Sequence, residues 1–212
     1  QLGDRILDQA FAQAAAWQGQ REGVLVGVNL SPSQILDPGL PDRIAAALSR
    51  HGLPPSRIVL EITEAALLSD SAQAIRTTRA LSEMGIRMSL DDFGTGYSSL
   101  AHLRRLPLSS VKIDRSFVAN VDTDPQARSF IAAVIRLGQD LGLDVIVEGI
   151  ETAGQLATVR ELGATFVQGY LVDLPRPAHE VEVGREWTDL FTPTALGLPR
   201  QRESVDAFPM TA

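Results

Sequence analysis

The sequence predicts an α/β fold of parallel strands joined by crossover helices, and three observations predict it. Six short apolar runs recur along the chain. Stretches of helical period fill the gaps between them, and each run carries a polar or charged residue at or near its C-terminal end. Alternation of strand and helix argues parallel strands, because each new parallel strand needs a crossover to reach its neighbour. In α/β barrels and in open α/β sheets alike, sites are built beyond the carboxyl ends of the strands.

Taken in order, Gly3–Trp17 (GDRILDQAFAQAAAW) reads as an amphipathic helix with Ile6, Leu7, Phe11 and Ala14 inward. Val24–Leu30 (VLVGVNL) reads as a strand closing on Asn29. Asp42–His51 turns Ile44, Ala45 and Leu48 to one helical face. Arg57–Thr63 (RIVLEIT) is a strand with Glu61 near its end and Glu64 just after. Ala72–Met84 carries Ile75, Leu81 and Met84, with Gly85 as its stop. Arg87–Phe93 is a strand ending in Asp91 and Asp92, and a short helix over Ser98–Leu106 follows its Gly-rich turn. Val111–Phe117 (VKIDRSF) is a strand with Lys112 and Asp114. Gln126–Leu141 repeats Phe130, Val134, Leu137 and Leu141 ahead of Gly142. Asp144–Ile150 (DVIVEGI) is a strand with Glu148, then Glu151. Ala153–Leu162 is a helix stopped by Gly163, and Phe166–Tyr170 (FVQGY) is a strand with Gln168. The helices are apolar stripes of 3.6 period, most with glycine terminators.

Strands covered on both faces should be almost wholly aliphatic. Asn29, Glu61, Lys112 and Glu148 break that rule. One buried glutamate in such a strand is usually half of an ion pair, but several violations at one end of successive strands read as a site. The most informative segment is Ser89–Leu100 (SLDDFGTGYSSL). Side chains alternate across a strand, so Asp91 and Asp92 are expected to leave the backbone in different directions. At a fraying strand end both can bend toward one charge, and two carboxylates that close repel unless protons or cations neutralise them. A divalent metal explains them; an exposed turn with Asp92 as a helix cap is the alternative. The all-oxygen donor set suits Mg²⁺ or Mn²⁺ rather than zinc. Lys112 has an alternative structural role, a salt bridge to Asp114 or Glu148. A Schiff-base lysine in a barrel lyase leaves Glu61, Asp91 and Asp92 without a use.

Composition sets the outer bounds. The 212 residues are enough for one packed domain. Hydrophobic residues make up 44%, yet no apolar run is long enough to span a membrane, so no membrane contact is expected of this segment. Nothing resembles a signal peptide. Cysteine is absent, which excludes disulfides and thiolate metal sites and fits a cytoplasmic setting. His51, His102 and His179 are expected at the surface. A net charge of −7 argues against DNA or RNA polymers as partners, while a small phosphorylated ligand held through metals stays compatible. Beyond about Phe191 the pattern dissolves, so residues 1–191 are expected to form the domain and 192–212 a tail or linker.

Six ordered motifs carry a resemblance. Asn29-Leu30-Ser31-Pro32, Glu61-Ile62-Thr63-Glu64, Asp91 to Leu100, Lys112 to Phe117, Glu148-Gly149-Ile150-Glu151-Thr152 and Gln168-Gly169-Tyr170 resemble, in order and spacing, those of EAL domains. These are bacterial cyclic di-GMP phosphodiesterases on a modified (β/α)8 barrel of the TIM type. The resemblance implies that Asn29, Glu61 and Asp91 hold one Mg²⁺ or Mn²⁺, with Asp91, Asp92 and Glu148 serving a second. It implies that Lys112 contacts the attacking water and that Glu148 helps to deprotonate it. Gln168 and Arg115 fall on the substrate side, and Glu64 and Glu151 support loops. The implied reaction is hydrolysis of one phosphodiester bond of cyclic di-GMP to linear pGpG. A homodimer and fused GGDEF or sensor domains upstream accord with the family. The sequence departs from the pattern in two places. The Glu-Ala-Leu segment, whose glutamate is a metal ligand, would precede Gln1, so two opening strands are expected upstream of the six seen here. Val172 stands where an aromatic residue is usual, which alters one wall of the pocket. A catalytically silent cyclic di-GMP receptor is the alternative reading.

Overall fold

The structure is a computed structural model that describes residues 2–21, 23–67, 72–95, 103 and 105–183. Most of the helix expected over 98–106, His102 and the segment beyond 191 lie outside the described residues. In chain order the elements are α1 (Leu2–Gln18), β1 (Val26–Leu30), α2 (Pro32–Ile35), α3 (Leu40–His51), β2 (Ile58–Thr63), α4 (Glu64–Leu67), α5 (Ala72–Glu83), β3 (Arg87–Phe93), β4 (Ser110–Ile113), α6 (Pro125–Asp140), β5 (Asp144–Val147), α7 (Ala153–Glu161) and β6 (Phe166–Val167). Local chemistry sets many of these ends. Ser31 and Gln34 form a capping box at α2, Thr152 and Gln155 form another at α7, and Gly52 closes α3 in the left-handed region at φ 61°.

All six strands are parallel and stand in the order β1-β2-β3-β4-β5-β6. Each strand lies beside its successor, as in a (β/α) barrel. An open doubly wound sheet would reverse direction at a switch point. One face of the sheet is closed by helices. There the core falls into two lobes. Leu7, Phe11, Ile44, Leu60 and Met88 belong to the first, and Leu90, Ile113, Ile131, Val145 and Leu156 to the second. Leu108 packs against both. The opposite face is concave, and its burial follows the curve. Gly27 and Asn29 on β1 are exposed, Val59, Glu61 and Thr63 on β2 are half-buried, and Ser89, Ser110 and Lys112 on β3 and β4 are buried. Burial then falls again through Ile146 on β5 to the exposed Phe166 on β6.

Several boundaries and faces differ from the sequence expectation. The strands expected over 111–117, 144–150 and 166–170 end at Ile113, Val147 and Val167. After β4 the Asp114 carboxylate accepts from Ser116 N at 2.9 Å and starts a 3-10 turn over Arg115–Phe117. Glu148 and Gln168 therefore follow their strands, though Glu148 N still donates to Ile113 O (3.1 Å) and Gln168 N to Val147 O (2.9 Å). In α6 the inward stripe is Ile131, Val134, Ile135 and Gly138, one position on from the expected set, and Phe130 turns outward. Gly138 decides that register, because a side chain there would collide with Val145. Ile6 of α1 is likewise exposed, as is Ala45 of α3, while Ala47 is buried. His51, expected at the surface, is partly covered and bonded to Asp8 at 2.9 Å; His179 is exposed.

Candidate metal centre

The site grows from a defect in β3. Its pairing with β4 runs Leu90↔Val111 and then Phe93↔Ile113, so Asp91 and Asp92 together stand opposite Lys112 alone. Two residues against one is a β-bulge, which kinks the strand and cancels the alternation of side chains. Asp92 completes the turn at φ 56°, the one positive φ at a non-glycine residue among those described. Aspartate tolerates this left-handed region better than most residues. The turn is closed locally. Asp91 Oδ1 accepts from Asp92 N at 3.1 Å, and Asp92 O accepts from Thr95 N (3.3 Å) and Thr95 Oγ1 (2.9 Å). The expected convergence of the two carboxylates at the strand end is seen, brought about by bulge and turn.

Lys112 is the hub. It lies 5% exposed on the concave face, and its Nζ reaches three carboxylates, two on β2 and β3 and one just beyond β5. Glu148 Oε1 is at 2.7 Å, Glu61 Oε2 at 2.9 Å and Asp91 Oδ1 at 3.3 Å. Burial alone would lower the lysine's pKa, but the hydrogen bonds to Glu148 and Glu61 outweigh it and raise the value above that of a free lysine. The structural reading of Lys112 is met at Glu148, whereas Asp114 turns to its own backbone. Ligand atoms of Asp91, Asp92 and Glu148 lie within 4.8 Å of one another. Burial pushes the Glu148 pKa up against the pull of Lys112. Burial, and then the charges of Asp91 and Asp114, push Asp92 up as well. Four carboxyl groups thus gather beside one ammonium, and burial is the main reason that Glu148 and Asp92 hold their protons more tightly than free carboxyls.

The donor set fits a hard divalent cation: oxygen ligands, converging, partly desolvated and short of positive charge. The other expected site residues are placed as follows. Asn29 is exposed on β1, in register with Glu61. Arg115 is exposed and packs its Cβ on Gly149, whose φ of 72° and lack of a side chain permit that approach. Gln168 is exposed, and its carbonyl accepts from Ile150 N at 3.1 Å. Glu151 is exposed, and its N–H donates to Gln155 Oε1 at 2.8 Å. Glu64, 3% exposed at the start of α4, has no hydrogen-bond partner for either oxygen among the described residues. Asn29, Glu61, Asp91, Lys112, Glu148 and Gln168 all fall at the C-terminal ends of successive parallel strands. Sequence reasoning did not single out Ser89 and Ser110, which are buried in register below Lys112 with Ser110 Oγ donating to Ser89 Oγ at 2.9 Å. The signal was there, since both serines interrupt aliphatic strands.

Known proteins resemble this chain in sequence and fold. The sequence model of the EAL domain matches residues 1–175. The bifunctional diguanylate cyclase/cyclic di-GMP phosphodiesterase MucR of Pseudomonas aeruginosa is 40% identical over 182 residues, which is 85% of this chain and 27% of MucR. A solved c-di-GMP complex of the PaMucR phosphodiesterase superposes with a TM-score of 0.81 at 39% identity, covering 85% of this chain and 73% of that one. The manganese/cy-diGMP complex of Klebsiella pneumoniae BlrP1 gives a TM-score of 0.72 at 29% identity, covering 81% of this chain and 45% of that one. The chain spans about a quarter of the length of most of the curated relatives it matches, and 46% of one. With the domain match over most of its length, its sequential parallel strands and its acids gathered at their carboxyl ends, this chain belongs to the EAL domain family.

Proposed function

We propose that this chain is a metal-dependent phosphodiesterase domain that hydrolyses cyclic di-GMP to linear pGpG. The observation that carries the reading is the convergence of Asp91, Asp92 and Glu148, two of them paired with the Lys112 ammonium, in a family whose relatives include named cyclic di-GMP phosphodiesterases. Asp91, Asp92 and Glu148 would hold divalent cation, with Glu61 and Asn29 contributing from β2 and β1. Mg²⁺ or Mn²⁺, as a pair, suits the donors, and BlrP1 has been solved with manganese and the dinucleotide. Bound there, such ions neutralise the phosphodiester and acidify a water.

The chain's own groups supply the rest. Lys112 Nζ holds a fixed positive charge beside the carboxylates, where the nucleophile and the phosphate oxygens have to meet. Glu148, whose pKa is raised by burial, is suited to take up the proton of the attacking water. Arg115 and Gln168 stand exposed on the loops beyond β4 and β6, where a bound dinucleotide would lie. Glu64 and Glu151 support the loops that flank them. A domain spanning 1–191 with a tail from 192, a homodimer, fused GGDEF or sensor domains and a cytoplasmic setting accord with this reading. No helix among the described residues is long and apolar enough to cross a membrane.

The test is pGpG formation and cyclic di-GMP affinity on the same protein at its natural length, with Mn²⁺ and with EDTA. Glu148→Gln keeps size and hydrogen-bonding reach but cannot take a proton. It should bind the dinucleotide and cleave it about 10²–10⁴ more slowly. Unchanged hydrolysis would remove Glu148 from the chemistry. A wild-type protein that binds cyclic di-GMP with Mn²⁺ and never cleaves it would replace the enzyme by a receptor.

A further inference from the structure

We infer that Phe117, backed by Phe130, is a positioning residue for Asp92. The inference rests on the proposed metal site but on a different set of contacts. Gly94, two residues after Asp92, has φ 96°. A Cβ placed on Gly94 would lie 2.9 Å from Phe117 Cε2, 3.1 Å from Phe117 Cζ and 3.5 Å from Phe130 Cζ. The glycine backbone therefore rests directly on the Phe117 ring. That ring stacks on Phe130 with centroids 4.5 Å apart and planes 24° from parallel.

The two rings come from different elements. Phe117 ends the 3-10 turn that Asp114 caps, and its N–H donates to Asp114 O at 3.1 Å. Phe130 sits on α6, whose neighbour Ile131 is fully buried in the second core lobe. Phe130 itself is 38% exposed, so the stack sits at the edge of the second core lobe. The stack gives the 92–95 turn a floor anchored in β4 and α6. Among the described residues, short hydrogen bonds within the turn hold Asp92 in its left-handed conformation, which is disfavoured for most residues with a side chain. With the floor removed, the turn can relax to ordinary φ values, and Asp92 then swings away from Asp91 and Glu148. Phe117 thus acts through the turn that carries Asp92.

The test compares wild type, Phe117→Leu, Phe130→Ala, Asp92→Asn and the double variant Phe117→Leu/Asp92→Asn. In metal-free protein the Thr95 amide, which donates to Asp92 O, should exchange with solvent faster in Phe117→Leu, while amides of β2 and β5 keep their protection. Mn²⁺ affinity should fall about 10–100-fold in Phe117→Leu, the range for groups that orient a ligand, and by less in Phe130→Ala. In the Asp92→Asn background the Phe117→Leu change should cost no further Mn²⁺ affinity. A purely structural Phe117 would lower the melting temperature and weaken Mn²⁺ equally in both backgrounds, which overturns the inference. Unchanged Thr95 exchange overturns it too. If Phe117→Leu fails to fold, the partly exposed Phe130→Ala is read by the same two measurements. A wild type that binds no Mn²⁺ refutes the proposed function instead, and Thr95 exchange still decides the role of Phe117.

Discussion

At the scale of single residues, Asp92 shows how a site is held against local preference. Its carboxyl is raised by burial, then by Asp91 and Asp114, with Lys112 only partly offsetting them. An acid whose folded pKa is raised keeps its proton at a pH where the unfolded chain has lost it. Metal-free stability therefore falls as pH rises through that interval, and the penalty is fully present above the folded pKa. Asp92→Asn removes the charge and suits the φ of 56°, since asparagine also enters the left-handed region. In EDTA at neutral pH the variant should melt higher than wild type, with the advantage fading toward about pH 4, the ordinary carboxylate range. Its Mn²⁺ affinity should fall at the same time. Thermal melts at the two pH values check the sign, and a variant less stable than wild type at neutral pH would refute the charge account.

At the scale of elements, the loops beyond β4, β5 and β6 interlock through glycines. Arg115 packs on Gly149, and Gly169 lies against the backbone of Ile150, whose carbonyl carbon would be 2.7 Å from an added Cβ. Two hydrogen bonds close the same seam: Ile150 N to Gln168 O at 3.1 Å and Leu171 N to Ile150 O at 3.0 Å. Backbone cannot move aside as a side-chain end can. Gly169→Ala should therefore cost about 1–3 kcal/mol in urea unfolding, the range for overpacking, and loosen the loop that carries Glu148. Gly19→Ala is the control. Its added carbon meets only Ala16 O at 3.4 Å, so it should stay within about 0.5 kcal/mol. Equal losses at the two positions would mean that the seam is not tight.

At the scale of the whole molecule, the sheet has a protected middle and two edges. On β4 all four residues are buried, whereas β1 exposes Gly27 and Asn29 and β6 exposes Phe166. Hydrogen exchange should follow that gradient, slowest in β3 and β4 and fastest in β1 and β6, because edge amides open without breaking the core. Mass spectrometry of exchanged peptides would show it. Protection of β1 equal to that of β4 would mean that a further element covers this edge. Saturating Mn²⁺ should slow exchange most at the ends of β3 and β5, where Asp91, Asp92 and Glu148 sit, since a ligand that binds only the folded state stabilises what it touches.

The sequence by itself determined the alternation of strands and helices, their parallel sense and the placing of polar residues at the strand ends. Periods of two and 3.6 residues and glycine stops are local properties that a linear reading captures. It also determined the candidate charged residues, because Glu61, Lys112 and Glu148 stand out against aliphatic strands. What only the tertiary structure decided is how those residues meet. The bulge that sets Asp91 and Asp92 together against Lys112 is a property of the β3–β4 register, and no single strand encodes it. The face of α6 was settled by Gly138 against Val145, and the ends of β4, β5 and β6 by turns and loop packing. The same holds for the choice of Lys112 partners, Glu61, Asp91 and Glu148, which lie far apart in sequence and are joined through one ammonium group. Local periodicity is written in neighbours three or four residues apart, while a charge cluster is written in strand register and burial, which exist only once the chain has folded.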